Sequence, residues 1–355
     1  MKHTYTNVST KLKEKIIIAG ITHLKEFTQP VLQQLVRDES EQFESLETIG
    51  NRFLPIRPVY SNTFAYDVIK KKQHIASYIG YGAEPPVIDR DAVARRHGEL
   101  AKLGLKHIVT EEELLAIHQA RSTAENRDMI DRLVAKGIDL VNAVNLQIEI
   151  SRLKALFTGQ FDFNNNGVKI QVDYGVENTE TPDTLWSDTS ATALSDLIQW
   201  HDNYVNRTGQ RADVIFMSAE TRGLLQRNEE IIGEIKGVNA ANSSRVSVAE
   251  LEGLLAEYEL PAIEVVTQRS RSVHNVVTGE TEVLEYFPVG RLVFASEGLG
   301  EYQLGITVEN GFAPGINLEA YDKNEPIQSV LRTVAAGFPV IENPDLLTYV
   351  DVTTP

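Results

Sequence analysis

The residues best suited to chemistry in this chain run from Asp162 to Asp173. Asp162, Asn164 and Asn166 alternate ahead of Gly167, and Asp173 stands at the twelfth position of the run. Side-chain oxygens at that spacing are what a helix-flanked calcium loop requires, with the glycine supplying the sharp bend. The closing acid of such a loop is a glutamate that binds through both oxygens; here it is an aspartate. The flanks, Phe161-Asp-Phe-Asn164 and Val168-Lys-Ile-Gln-Val172, read as strands rather than helices. Asn166-Gly167 between them is a strong signal for a two-residue hairpin turn. The reading is therefore a hairpin without a metal.

Other chemistries find less to work with. The eight histidines form no His-x-x-x-His pair and no His-Glu-x-x-His motif, so ligand spacing for zinc is missing. There is no cysteine, which excludes disulfides and thiolate metal sites. Gly298-Leu-Gly300 lacks the third glycine and the lysine–serine pair of a phosphate loop. Serine, histidine and aspartate all occur, but no Gly-x-Ser-x-Gly elbow presents a nucleophile. We expect no catalytic residue, no cofactor and no metal. Lys70, Lys71 and Lys72 form a basic cluster. They suit salt bridges to acidic neighbours, each worth up to about 1 kcal/mol when exposed.

The elements that must position these residues are readable to different degrees. Residues 1–58 mix short apolar patches such as Phe53-Leu-Pro-Ile56 with polar stretches, and read as an arm with little core of its own. Residues 59–108 look extended. Tyr60, Phe64, Tyr66 and Val68 share a parity, Lys70–Gln73 would be a charged turn, and His74–Ile79 would return as the second strand. Tyr66 and Tyr78, one on each proposed strand, join the three lysines as contact candidates. A two-stranded projection is marginal alone, so a neighbouring molecule is expected to cover it.

Thr110-Glu-Glu-Glu113 and Ser122-Thr-Ala-Glu125 are capping boxes. The second opens an apolar face through Ile130, Val134, Ile138, Val141, Val144 and Ile148 that closes near Gly159. Such a helix would be about 50 Å long at 1.5 Å per residue. A spine packed on a sheet is expected. From 188 to 310 helices and strands alternate. A helix near Ala191–Asn206 would turn Leu194, Ile198 and Val205 inward and end before Gly209. Asp213–Met217, Ile263–Thr267 and Arg291–Ala295 read as strands, Ser218 and Ser247 as helix caps, and Thr278-Gly279 as a hairpin turn between Val276-Val277 and Val283-Leu284. Without a regular βαβ repeat, the class is α+β.

Composition is that of an ordinary globular chain, with 42% apolar and 24% charged residues in 355. No membrane span or secretory signal is expected. A net charge of −16 argues against general attraction to nucleic acid.

Several landmarks share an order. They are Val172-Asp-Tyr-Gly175, Leu185-Trp-Ser-Asp188, Leu194-Ser-Asp-Leu-Ile198, Thr208-Gly209 leading to Val214-Ile-Phe-Met-Ser218, Gly305-Ile-Thr-Val308 with Pro314-Gly315, and Phe338-Pro-Val-Ile-Glu-Asn-Pro344. Together they resemble the phage major capsid protein E family, the lambda-type coat proteins, over roughly residues 30 to 350. The resemblance implies an HK97-like coat fold. It would comprise an N-terminal arm (1–58), an E-loop (59–108), a P-domain with spine helix and hairpin (109–187), an A-domain (188–310), and a P-domain return strand and tail (311–355). It implies pentamers and hexamers of an icosahedral shell around double-stranded DNA bound without sequence specificity. The partners implied are other copies, a portal, and scaffolding and decoration proteins. Such a protein is assembled in the host cytoplasm and resides in the virion. The alternatives are an encapsulin-like compartment with the same fold and a soluble α+β enzyme.

Overall fold

The computed structural model describes residues 20–61, 63–70, 92–119, 122–165, 168–237, 243–275 and 279–353. The chain forms two compact units, each assembled from separated stretches.

The first unit comprises Met1–Leu46, Lys102–Gln147 and Gly305–Ala336. Its sheet is built on the part of strand Ile327–Ile341 up to Ala336, which pairs antiparallel with Asn317–Asn324 in a register from Asn317↔Val334 to Asn324↔Ile327. Strand Ala101–Thr110 pairs with the same long strand. Thr110 then caps helix Glu111–His118. Its hydroxyl accepts from the Glu113 N–H, and the Glu113 carboxylate accepts from the Thr110 N–H, as the capping box requires. The helix Thr123–Thr158 begins with the Glu125 N–H donating to the Ser122 hydroxyl. Within this unit it buries Ile130, Leu133, Val141 and Val144.

The reading of the N-terminal stretch as an arm without a core is corrected here. Gln29–Ser45 is a helix with Pro30 in its first turn, and Ile21, Phe27, Leu32 and Val36 are buried. Specific hydrogen bonds fix the segment to its own chain. The Ile21 N–H donates to Ser329 Oγ at 3.1 Å, Thr22 bonds Asp322, and Gln33 Nε2 donates to Asn317 Oδ1 at 2.6 Å. The expectation failed because only Leu32 and Val36 mark the buried face, four residues apart among polar neighbours.

The second unit comprises Glu47–Ala101, Ile148–Leu304 and Gly337–Pro355. Its main sheet has five strands in the order Thr179–Glu180, Leu347–Asp351, Arg291–Ala295, Val214–Met217 and Ala262–Val265. Val214–Met217 runs antiparallel to Arg291–Ala295 and parallel to Ala262–Val265. The parallel step is made by helices Ala219–Leu225, Glu229–Lys236 and Val248–Glu257. Alternation along the strands explains the layering. Val214 and Phe216 enter a core with Phe53, Phe157, Phe338 and Tyr349, while Ile215 and Met217 enter another with Trp186, Leu197, Trp200 and Tyr204. A strand buried on both faces reads as a continuous apolar run, as Val214–Met217 does.

Ser218 and Ser247 cap their helices as expected. Gly159 and Gly209 follow the ends of Thr123–Thr158 and Ala193–Thr208 with φ of 65° and 73°, a region costly for any residue with a Cβ. The helix near Ala191–Asn206 is observed as Ala193–Thr208, and its face differs from expectation. Leu194 is buried, Ile198 and Val205 are half-buried, and Leu197, Trp200, His201 and Tyr204 are buried instead. The large rings of Trp200 and Tyr204 have the most apolar area to hide and set the helix rotation. Trp200 stacks on Trp186, whose indole N–H donates to Asp196 Oδ2 at 2.9 Å, and burial pushes the Asp196 carboxyl up.

Several phenols are fully enclosed in this unit. Tyr349 donates to the Leu156 carbonyl at 2.9 Å, and Tyr204 meets Ser296 Oγ at 2.7 Å. Tyr302 lies under the Arg152 guanidinium, 5.4 Å from the ring centre. Burial raises the Tyr204 phenol to about 12 and pushes Tyr302 and Tyr349 up as well.

Candidate assembly surfaces

The hairpin expected between Phe161 and Tyr174 is present as Gln160–Asn165 against Val168–Asp173, with Asn165↔Val168 as its last described pair. Both calcium-loop flanks are thus strands, with their main chain committed to a ladder. The Asp173 carboxylate accepts the Gly175 N–H at 2.8 Å. The main chain does not follow the helix-flanked course that a calcium loop needs. Among the described residues, no group of three acidic or histidine side chains is placed to hold a metal ion. Nor is any described helix long and apolar enough to cross a membrane.

Besides this hairpin, two other two-stranded ribbons form sheets of their own. In the first, Thr63–Lys70 pairs antiparallel with Ala92–Glu99, from Thr63↔Glu99 to Lys70↔Ala92. It forms a sheet of its own. The expected partner, His74–Ile79, lies outside the described residues, and the described partner is a strand further along the chain. A tight turn at Lys70–Gln73 therefore does not close this ladder, because Lys70 sits opposite Ala92. Tyr66 sits opposite Arg96. Lys71, Lys72 and Tyr78 fall outside the described residues.

The second ribbon pairs Ser270–His274 with Thr281–Glu285. The Asn275 N–H donates to the Glu280 carbonyl, and the Gly279 N–H donates to the Asn275 carbonyl. The turn at Gly279 was legible. Val283 and Leu284 lie on the second strand as read, and Val276, Val277 and Thr278 fall outside the described residues. Glu282 and Leu284 on Thr281–Glu285 are half-buried and the other three residues are exposed, as on a strand covered on one face at most.

A third surface went unnoticed in the sequence. Between Ile306 and Pro314, which form an isolated antiparallel bridge, the chain makes a tight turn. Its exposed residues are Val308, Gly311, Phe312 and Ala313, all apolar. Phe312 adopts φ of 64°, which costs a residue with a Cβ about 1–2 kcal/mol. Nothing in its residue types signals a left-handed phenylalanine.

Comparison with known proteins places this architecture. The profile of the phage major capsid protein E family matches residues 32–307. No curated protein sequence matches. Among solved structures, a prophage protein of E. coli CFT073 described as a capsid protein aligns with a TM-score of 0.55. It is 12% identical, with 92% of this chain and 99% of that one covered. A phage-related protein from Bordetella bronchiseptica RB50 aligns at 0.51, also 12% identical, covering 92% and 97%. A virus-like particle from Pyrococcus furiosus aligns at 0.44 with 12% identity, covering 92% and 100%, too distant a likeness to weigh. The α+β architecture is that of the HK97-like coat proteins. The chain belongs to the phage major capsid protein E family, whose members form capsid shells.

Proposed function

We propose that this protein is the major head protein of a tailed-phage-type particle. Copies assemble into pentamers and hexamers of an icosahedral shell around double-stranded DNA, in the host cytoplasm. The role is geometric and involves no turnover. Residues 59–108 would act as the E-loop, 109–187 with 311–355 as the P-domain, and 188–310 as the A-domain. A portal, and scaffolding and decoration proteins, are the other partners this reading assigns. The acidic surface fits a wall that does not grip the packaged DNA.

The observation that carries the reading is the ribbon of Thr63–Lys70 and Ala92–Glu99. It is an eight-residue ladder that joins no third strand among the described residues. An isolated two-stranded ladder is marginal in water, so it gains most when another molecule covers it. Contacts of one copy with the next, repeated until they close, generate rings. Lys70, Lys71 and Lys72, with Tyr66 and Tyr78, are the residues we assign to these contacts.

Negative-stain microscopy of the purified protein tests the reading directly. Closed particles of uniform diameter are expected, and a small globular oligomer would refute it. DNA inside particles isolated from an infected or induced host separates a phage head from an enzyme-loading compartment. Changing Lys70, Lys71 and Lys72 together to Glu should lower particle yield and heat resistance. Unchanged yield would remove these lysines from the contact.

A further inference from the structure

We propose that the turn Val308–Pro314 is a self-association knob that seats against a second copy of this chain. This inference rests on the coat-protein reading. The turn is built, not loose. The Gly311 N–H donates to the Val308 carbonyl and the Phe312 N–H to the Thr307 carbonyl, each at 3.0 Å. Asn310 closes it from inside, its N–H donating to Thr307 Oγ1 at 3.3 Å and Nδ2 to the Ala313 carbonyl at 3.0 Å. The result holds Val308 70% exposed and Phe312 64% exposed. Exposed apolar side chains scattered singly need no explanation, but two large ones on one rigid turn do. Folding does not ask for phenylalanine here, since glycine would take φ of 64° without cost. An aromatic ring kept in water against the backbone's preference suits an anchor for binding.

Charge identifies the occupant. Two copies of a chain with net charge −16 repel overall, so a contact between them is favoured where acids are locally balanced. The one acid in the turn, Glu309, is drawn to Lys102 Nζ at 2.7 Å and lies 3.9 Å from Arg332. Arg332 also pairs with Glu319. Two acids and two bases thus pair beside the knob, so its apolar residues form an island flanked by compensated charge. A basic partner would be drawn to the acidic remainder of the surface; another acidic copy fits this island.

Because the chain has no cysteine, Val308→Cys introduces a single thiol. Its reaction with a maleimide should be about tenfold slower in the assembled fraction than in subunits separated by size-exclusion chromatography, since a covered thiol is shielded. Phe312→Gly should leave the unassembled subunit at least as heat-stable while raising the concentration needed for assembly about tenfold. A ring that served only the fold would give the opposite pair of results. Equal labelling in both fractions, or unchanged assembly of Phe312→Gly, overturns the knob and leaves the coat-protein reading intact. If the unsubstituted chain forms no particles at all, both fall.

Discussion

The five-stranded sheet of the second unit and the two ribbons use the same ladder chemistry to different ends. Val214–Met217 is buried on both faces, with one aromatic-rich core on each side. Phe216 alone meets Phe53 and Phe157 edge-on, at 5.4 and 5.3 Å between ring centres. Thr281–Glu285, by contrast, keeps Val283 59% exposed. Both regions form backbone ladders, but the inner strands of the sheet are paired on two edges and each ribbon strand on one among the described residues. Only the sheet adds the apolar burial that makes a ladder stable by itself. The ribbon of Ser270–His274 and Thr281–Glu285 has little apolar cover, as an element meant to be completed by something else does.

Graded substitution in the unassembled protein, followed by denaturant unfolding, sharpens this contrast. Phe216→Ala should cost about 3–5 kcal/mol, as a cavity between two packed rings does. A loss under about 1 kcal/mol would mean that this core is far looser than its contacts indicate. Asp351→Asn should cost about 1–2 kcal/mol, because it breaks a two-pronged bond at the sheet's margin. Arg291 donates there from Nε and Nη2 to the two carboxylate oxygens, each at 2.8 Å. Ser247→Ala should cost about 1 kcal/mol by removing the cap of Val248–Glu257.

Glu250, in the same cap, adds a pH signature. Hydrogen bonds from Lys236 first, then from the Ser247 N–H and hydroxyl, hold its carboxyl down to about 2. A depressed carboxylate contributes stability that is whole above its ordinary value of 4.5 and drains away as pH falls toward 2. The stability of Glu250→Gln should therefore fall less steeply than that of the parent across this window. Parallel curves would show that Glu250 plays no such part. At the small end, Val283→Thr on the ribbon should change subunit stability by less than about 0.5 kcal/mol.

Local rules were legible in the sequence and distant pairings were not. The caps at Thr110, Ser122, Ser218 and Ser247 and the stops at Gly159 and Gly209 all appear where residue type placed them. Each depends on atoms within a few residues. The helix Gln29–Ser45 was missed because its burial depends on Asn317–Asn324, nearly three hundred residues later. The pairing of Thr63–Lys70 with Ala92–Glu99 was not anticipated, because it joins strands more than twenty residues apart, and His74–Ile79 lies outside the described residues. The Val308–Pro314 turn was invisible for another reason. Its shape comes from side-chain and backbone bonds that hold Phe312 where its own preference would not.

The enclosed tyrosines carry a consequence for strong base. An unfolded chain gives up its phenolic protons near pH 10, whereas Tyr204, Tyr302 and Tyr349 keep theirs beyond that point. Alkali therefore favours the opened polypeptide increasingly as pH climbs past 10, and the three rings lose their protons more readily once the interior comes apart. Their ultraviolet colour change would time the rupture of a head from within, with no dye and no label.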